Sequence, residues 1–400
     1  MNRLEEVVIV DAVRSPMAKG KPGGELSSLH PTELLGQVLC ELIRRSDLDP
    51  ALVDDVLTGC VTQAGEQGGT VGRVAWLAAG LPLHVPSATI ERKCGSGQQA
   101  VVFAAQAIAS GQADIVIASG VESMSRVPMG AAKLGQDGYG PAMRARFPHL
   151  TSQGVAADRV AAAFGLGRED LDAYSAESHR RAQSTVDGGG FDNEIVPPVT
   201  VADGARVNTD STIRPTTSVE GLAKLAPAFA GGARWRPPSP DLQGVTTAGS
   251  SSQVTDGAAA VLLMSASRAN SLGLAPPRAR LASSTACGDD PEMMLTAPIP
   301  ATRKVLARAN LTLDDIDIFE VNEAFASVPM AWMTALGVDH GRVNPRGGGH
   351  LARTSTRSVR RPTPHDFDQR TRPVWRTLRT TDDVRGGRNG QRYIVESLTH

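Results

Sequence analysis

One pattern occurs twice and limits what this chain can become. Val53-Asp54-Asp55-Val56-Leu57 and Asp314-Asp315-Ile316-Asp317-Ile318-Phe319-Glu320-Val321 each follow a helical stretch, and each runs from an acidic turn into an apolar strand. The helix before the first copy, Thr32 to Arg45, places Leu34, Leu35, Val38, Leu39, Leu42 and Ile43 on one face. The helix before the second is Thr302 to Ala309. Val7-Val8-Ile9-Val10, Ile115-Val116-Ile117-Ala118 and Ala258-Ala259-Ala260-Val261-Leu262-Leu263-Met264 are apolar throughout, as strands buried on both faces are. Strands alternating with helices predict an α/β fold with a largely parallel sheet. The repeat predicts two related halves.

The halves are interrupted. From Val121 to Gly249 glycine, proline and polar residues become frequent, and one clear helix remains, about Arg168 to Gln183. This stretch reads as an inserted lid or loop domain, a common place for substrate contacts. Residues 1–120 with 249–270 form the first core, 121–248 the loop domain and 271–348 a second, truncated core. A chain of 400 residues can bury all three.

Several partner classes fall away. A formal net charge of -1 argues against nucleic acid or an anionic membrane. The start, Met1-Asn2-Arg3-Leu4-Glu5-Glu6, lacks a signal peptide's apolar stretch, and no apolar run is long enough to span a bilayer. Cys40, Cys60, Cys94 and Cys287 are widely spaced with no CxxC pair, which is neither a zinc pattern nor a disulfide framework and fits a reducing cytoplasm. No metal or redox cofactor is expected.

The chemistry concentrates at Lys93-Cys94-Gly95-Ser96-Gly97-Gln98-Gln99-Ala100, between the strand-like Ala88-Thr89-Ile90 and an apolar helix. Gly95 and Gly97 permit a tight strand-to-helix turn and leave room for a ligand against the backbone. Cys94 then faces the N–H groups of a helix N-terminus, which carry roughly half a positive charge and favour an anion. A thiolate there is stabilised, so the thiol pKa is expected below the free value of about 8.5. That is the placement of a nucleophile; the competing reading is a buried structural cysteine in a glycine-rich turn.

Four stretches then resemble the thiolases, the acyl-CoA acetyltransferase family: Gly95-Ser96-Gly97 after Cys94; Gly120-Val121-Glu122-Ser123-Met124-Ser125; Thr247-Ala248-Gly249 through Asp256-Gly257-Ala258-Ala259-Ala260; and Val321-Asn322-Glu323-Ala324-Phe325-Ala326. They occur in family order, and the resemblance runs from Val7 to about Gly348. It implies a five-layered α/β/α/β/α fold of two similar halves with a loop domain, usually assembled as a homodimer or homotetramer. It implies that Cys94 attacks the keto carbon of a 3-ketoacyl-CoA and passes the acyl group to coenzyme A, which is a substrate rather than a cofactor. Asn322 matches the asparagine that holds a water in one oxyanion hole, and Ser252 a serine that touches the pantetheine arm of coenzyme A. The same site can instead condense two acetyl-CoA.

The chain then departs from the family. Thiolases need a histidine in a Gly-His-Pro-type motif and a cysteine in a Cys-x-Gly-Gly-type loop, both near the C-terminus. Here Asn344-Pro345-Arg346-Gly347-Gly348 continues as Gly349-His350-Leu351-Ala352-Arg353, and no cysteine follows Cys287. The tract to Gly390 is rich in Arg, Thr and Pro without amphipathic period. It reads as out of frame. Asp383 to Gly390 can be encoded as GAT GTG CGA GGG GGG CGG AAT GGC; one base later the same string gives Met-Cys-Glu-Gly-Gly-Gly-Met. At the same offset His350 to Thr363 can hide Ile-Ser-His-Glu-His-Pro-Leu-Gly-Pro-Ser-Gly-Ala-Arg. Thr377 to Asp383 can hide Arg-Tyr-Gly-Leu-Gln-Thr. Residues 349–393 are therefore expected to be poorly structured, with 394–400 a terminal strand remnant back in frame. His350 comes too early after the glycines to serve as the base. The expectation is an acyltransferase impaired as written. The alternative is a non-catalytic homologue that binds acyl-CoA or partners an active thiolase subunit.

Overall fold

The apolar run at the start becomes β1, Val7–Arg14, buried along its whole length. The computed structural model describes residues 5–197, 199–229, 244–347, 375–382 and 390–398. A two-residue strand, β2 (Ala18–Lys19), leads to α1 (Pro31–Ser46), which turns the predicted leucine face inward. Then come β3 (Asp55–Gly59), α2 (Val71–Ala78), β4 (Ser87–Ile90), α3 (Ser96–Ala109) and β5 (Ile115–Ser123). The loop domain carries α4 (Gly140–Arg146), α5 (Gln153–Ala163), α6 (Arg168–Asp187), the hairpin β6 (Val199–Thr200) and β7 (Arg206–Val207), and α7 (Val219–Leu222). The chain returns through β8 (Thr255–Ser265) and α8 (Ala266–Leu272). The second half follows as β9 (Ala279–Cys287), α9 (Pro298–Ala309), β10 (Ile318–Val321), α10 (Ser327–Leu336), β11 (Trp375–Asp382) and β12 (Gly390–Ser397).

The strand order shows the repeat directly. One path runs β10-β11-β12-β9-β1-β8-β5-β3-β4. Outward from β1, β8 and β5 pair antiparallel and β3 joins β5 in parallel. Outward from β9, β12 and β11 pair antiparallel and β10 joins β11 in parallel. Hydrogen bonding crosses between the halves where Val8 and Ile9 pair with Arg280 and Ala279. The sheet is mixed, because β8 and β12 re-enter each half against the direction of their neighbours.

Packing arranges this sheet into the expected layers. Leu34, Leu35, Val38, Leu39 and Leu42 of α1, with Trp76 of α2, cover one face of the first half. Each such side chain contributes about 1.5–3 kcal/mol by leaving water. On the opposite face Val101, Ala104, Ala105 and Ile108 of α3 meet Ile9, Val116 and Leu263, and also Tyr393 and Val395 of β12. Helix α3 is thus the middle layer between the halves. Val305 and Leu306 of α9 and Trp332 of α10 close the outer face over Phe319, Val321 and Ile394.

Three readings needed correction. The sheet expected to be largely parallel is mixed, and most neighbours along its path pair antiparallel. The loop domain holds α4, α5 and α7 besides the one helix expected. Helix α5 escaped because Gly154, Val155, Ala156, Ala157, Asp158, Val160 and Ala161 are all buried, leaving little polar face to give a period. Strand backbone also occurs inside the tract expected to be poorly structured: β11 lies wholly within 349–393, and β12 begins at Gly390, ahead of Ile394. Ladder bonds join backbone groups whatever the side chain, so the path between β10 and β9 accepts sequence that lacks a strand-like pattern. His350 and the rest of 348–374 and 383–389 lie outside the described residues.

Candidate active site

Strand β4 ends at Ile90, and the chain reverses within a few residues into α3. Gly95 N–H donates to the Arg92 carbonyl (2.9 Å) and Ser96 N–H to the Lys93 carbonyl (2.9 Å). The Ser96 hydroxyl accepts from Arg92 N–H (2.8 Å) and donates to the Lys93 carbonyl (2.6 Å). Lys93 sits at φ 47°, a left-handed conformation uncommon outside glycine and asparagine, so the turn holds it there at some cost. The first bond of α3 runs from Gln99 N–H to the Gly95 carbonyl (2.8 Å), which leaves Cys94 just ahead of the helix start. The turn rests directly on β3: a Cβ added at Gly59 would lie 2.3 Å from the Gly97 nitrogen.

The surroundings separate Cys94 from Cys40 and Cys60. It is half-buried and packs against an apolar wall that includes Ala156, Ala157 and Val160 of α5, Ala324 and Phe325. Phe229 meets Phe325 edge to face, with ring centroids 5.8 Å apart. Gly154 leaves the space for that ring, since a Cβ there would fall within it. Cys60 is fully buried beside Glu122, and burial with that carboxylate pushes its thiol well above the ordinary range. Burial raises the Cys40 thiol as well.

The stretch after β10 faces the same wall. Ser252 N–H donates to the Ala324 carbonyl (2.9 Å) and the Ser252 hydroxyl to the Glu323 carbonyl (2.9 Å). Ala326 N–H donates to the Ser250 carbonyl (2.9 Å). The Ser250–Ser252 loop is therefore zipped to Glu323–Ala326. Asn322 stands at the open end, half-buried, and its carboxamide makes no hydrogen bond to another described residue. Cys94 thus shares its apolar wall with Ala324 and Phe325, which follow Asn322 and Glu323 in the chain, and Ser252 is bonded to that same stretch. A neutral carboxamide can hold a water or an oxyanion where negative charge develops.

Glu323 and its partners were not singled out from the sequence. Its carboxylate is 1% exposed and accepts from the Tyr174 hydroxyl (2.8 Å), the Ser178 hydroxyl (2.7 Å) and the Asn344 carboxamide (2.8 Å). Burial and this carboxylate hold the Tyr174 phenol well above its ordinary range, so it stays a donor. Asn344 shares φ 47° with Lys93 and holds an equivalent place. Gly59 and Ile90 pair in parallel before the one turn, and Phe319 and Val343 bridge in parallel before the other. Asparagine tolerates this conformation, and its side chain binds both the N–H and the carbonyl of Val321, each at 2.8 Å. The signal available was the matching position of the two turns in the repeat.

No group of three or more potential metal ligands occurs among the described residues, and none of their helices is long and apolar enough to cross a membrane. The thiolase N-terminal domain family matches residues 7–267 and the thiolase C-terminal domain family residues 275–352. A steroid 3-ketoacyl-CoA thiolase, FadA6 of Mycobacterium tuberculosis, is 41% identical over 354 residues, covering 86% of this chain and 83% of that protein. A 3-ketoacyl-CoA thiolase of Pectobacterium carotovorum is 41% identical over 353 residues, 86% and 87% of the two chains. The dimeric peroxisomal thiolase of Saccharomyces cerevisiae superposes with a TM-score of 0.84 at 33% identity, covering 99% and 98%. An acetyl-CoA acetyltransferase of Bacillus anthracis superposes at 0.81 and 31% identity, over the whole of both chains.

Proposed function

The chain belongs to the thiolase family of acyl-CoA acyltransferases, and from that premise we propose that it cleaves 3-ketoacyl-CoA through an acyl-Cys94 intermediate, with its turnover impaired by the altered tract after Gly348. The observation that supports this reading is the packing of Cys94 against the wall that includes Ala324 and Phe325, in the stretch that follows Asn322 and is bonded to the Ser252 loop.

The Cys94 thiolate attacks the keto carbon, forming a C–S bond. The bond between the α- and β-carbons breaks, its electron pair stays on the departing acetyl-CoA, and that carbon takes up a proton. The thiol of coenzyme A then attacks the acyl-thioester and Cys94 leaves as thiolate. Two moderate steps replace one difficult step. Asn322 holds the water that receives the enolate oxygen of the departing acetyl-CoA, the Cys94 N–H serves the oxyanion on the carbon bonded to its sulfur, and Ser252 contacts the pantetheine arm. Coenzyme A enters as a substrate, and the reaction asks for no metal or redox group. The proton on the α-carbon and the activation of the thiol are the tasks of the family histidine and second cysteine. Loss of a general base alone costs about 10²–10⁴ in rate.

Self-association belongs to the same reading. Among the described residues β4 pairs only with β3, so its outer edge offers unmade ladder bonds to a second copy, and the yeast relative is named as dimeric. A homodimer or homotetramer in the cytoplasm is expected, with sedimentation giving the mass.

Intact-mass measurement after incubation with acetyl-CoA tests the central step. One acetyl group should appear on the protein and map to Cys94, with slow release of coenzyme A. Tight acyl-CoA binding with no acyl transfer to Cys94 would instead establish a non-catalytic partner.

A further inference from the structure

The Asn322 carboxamide has no hydrogen-bond partner among the described residues, yet an oxyanion site must be held to within a fraction of an ångström. Its position is set by its neighbours. On one side the backbone bonds from Ser252 and Ala326 tie Glu323–Ala326 to the Ser250–Ser252 loop. On the other, the Glu323 carboxylate reaches back into the loop domain, to Tyr174 and Ser178 on α6, and across to Asn344. Tyr174 is itself stacked on His340, ring centroids 5.0 Å apart, and Arg181 of α6 binds the His340 and Val343 carbonyls at 3.2 and 2.9 Å. About two turns of a loop-domain helix, Tyr174 to Arg181, therefore grip both Glu323 and the His340–Val343 segment of the second core.

We propose that Glu323 is a positioning residue: its buried, triply hydrogen-bonded carboxylate couples helix α6 to the Asn322 loop and so sets the Asn322 carboxamide for the step in which the α–β bond breaks and acetyl-CoA departs as its enolate. This rests on the acyl-transfer reading above. Three donors converge on one carboxylate, and removing it would leave Asn344 and Tyr174 with buried, unmet donors. A glutamine has the right shape to replace it. Its oxygen can accept from Tyr174 and Asn344, while its NH₂ donates to the Ser178 hydroxyl, which can accept as well as donate. The hydrogen-bond pattern, rather than the charge, is what the site requires.

The test compares the parent chain with Glu323→Gln, Glu323→Leu and the double variant Tyr174→Phe/Ser178→Ala. Acetylation of Cys94 by acetoacetyl-CoA, which requires the α–β bond to break, is followed by intact mass at several concentrations, and alkylation of Cys94 by iodoacetamide serves as the measure of thiol reactivity that needs no oxyanion site. Glu323→Leu and the double variant should lose roughly 10–100-fold in acetylation rate at saturating acetoacetyl-CoA, somewhat less than removal of a direct oxyanion donor. Half-saturation should change less than about threefold and iodoacetamide alkylation less than about twofold, while Glu323→Gln stays within about fivefold of the parent. If Glu323→Leu does not fold, the double variant, which keeps Glu323, carries the comparison. Parental acetylation rates in the double variant, or iodoacetamide rates falling in step with acetylation, would overturn the inference while leaving the acyl-transfer reading intact. A parent chain that is alkylated at Cys94 but never acetylated would overturn both.

Discussion

At the scale of single residues, close backbone contact and buried charge make the sharpest demands. Gly59 ends β3 where the turn into α3 comes down on it, and the Cβ of an alanine would sit 2.3 Å from the Gly97 nitrogen and 2.4 Å from the Ser96 carbonyl carbon. Both neighbours are backbone and cannot rotate away. Gly59→Ala should therefore cost about 1–3 kcal/mol or more by overpacking, read as a lower midpoint in urea, and should slow Cys94 alkylation because the turn moves with the strain. Asp256 makes a different demand. It is fully buried, one oxygen accepts from Ser125 N–H at 2.9 Å, and the other has no partner among the described residues. Burial holds its pKa above the ordinary 3.8. An acid raised in the folded state binds more protons there than in the unfolded chain, so its contribution to stability falls as pH rises from about 4 through the folded-state pKa. Asp256→Asn keeps the acceptor for Ser125 and never ionises. Thermal melts of both proteins from pH 4 to pH 8 should show the variant gaining on the parent as pH rises, then a constant gap; a gap independent of pH would mean that Asp256 is not strained by its charge.

At the scale of elements, legibility followed how each segment meets its neighbours. Strands β1, β5 and β8 were readable because burial on both faces leaves an unbroken apolar run. Helix α1 was readable from its single apolar stripe. Helix α10 gave no such stripe, since Ser-Val-Pro-Met-Ala-Trp-Met-Thr-Ala-Leu is apolar nearly all round. The Cys94 turn, Asn322 and Ser252 could be proposed from the sequence because each lies within a short motif. The Glu323 network could not, because Tyr174 and Ser178 are 149 and 145 residues away and meet it only through the tertiary fold. The same holds for the clamp between β1 and the loop domain. Arg14, 1% exposed, binds Glu194 at 2.8 Å and Asp210 at 2.7 and 2.8 Å, and it faces the Phe191 ring that Arg346 also covers. Asp210→Ala would leave that guanidinium underpaired in the interior, at a cost of about 3–5 kcal/mol. Because the pair is buried, raising salt should do little to narrow the difference between the parent and variant denaturation midpoints; a difference that vanished in salt would place the pair in solvent.

At the scale of the whole molecule, the fold and the sequence match part company at one place. The family match ends at residue 352, whereas the superposition on the yeast thiolase covers 99% of the chain and β11 fills the place in the second half that β5 fills in the first. Strand β5 runs into Glu122 and Ser123 at the Cys94 end of its sheet. Strand β11 runs parallel to β10, Thr380 level with Val321, so its end lies beside the Asn322 loop. Asp383 to Gly390, which follow β11 in the chain, can be encoded so that reading one base later gives the missing cysteine loop. A random tract has no reason to permit that text directly after β11, nor to permit the histidine motif at the same offset directly after Gly349. Resequencing the gene from Val343 to the stop should find one base gained in the glycine codons and one lost near Tyr393. The corrected chain should form acetyl-CoA from 3-ketoacyl-CoA and coenzyme A at least about 10²–10⁴ times faster than the chain as written, the share that a restored general base alone supplies. An uninterrupted frame, together with peptides matching Thr354 to Arg376 in purified protein, would mean that this tract is native and that the chain has given up turnover.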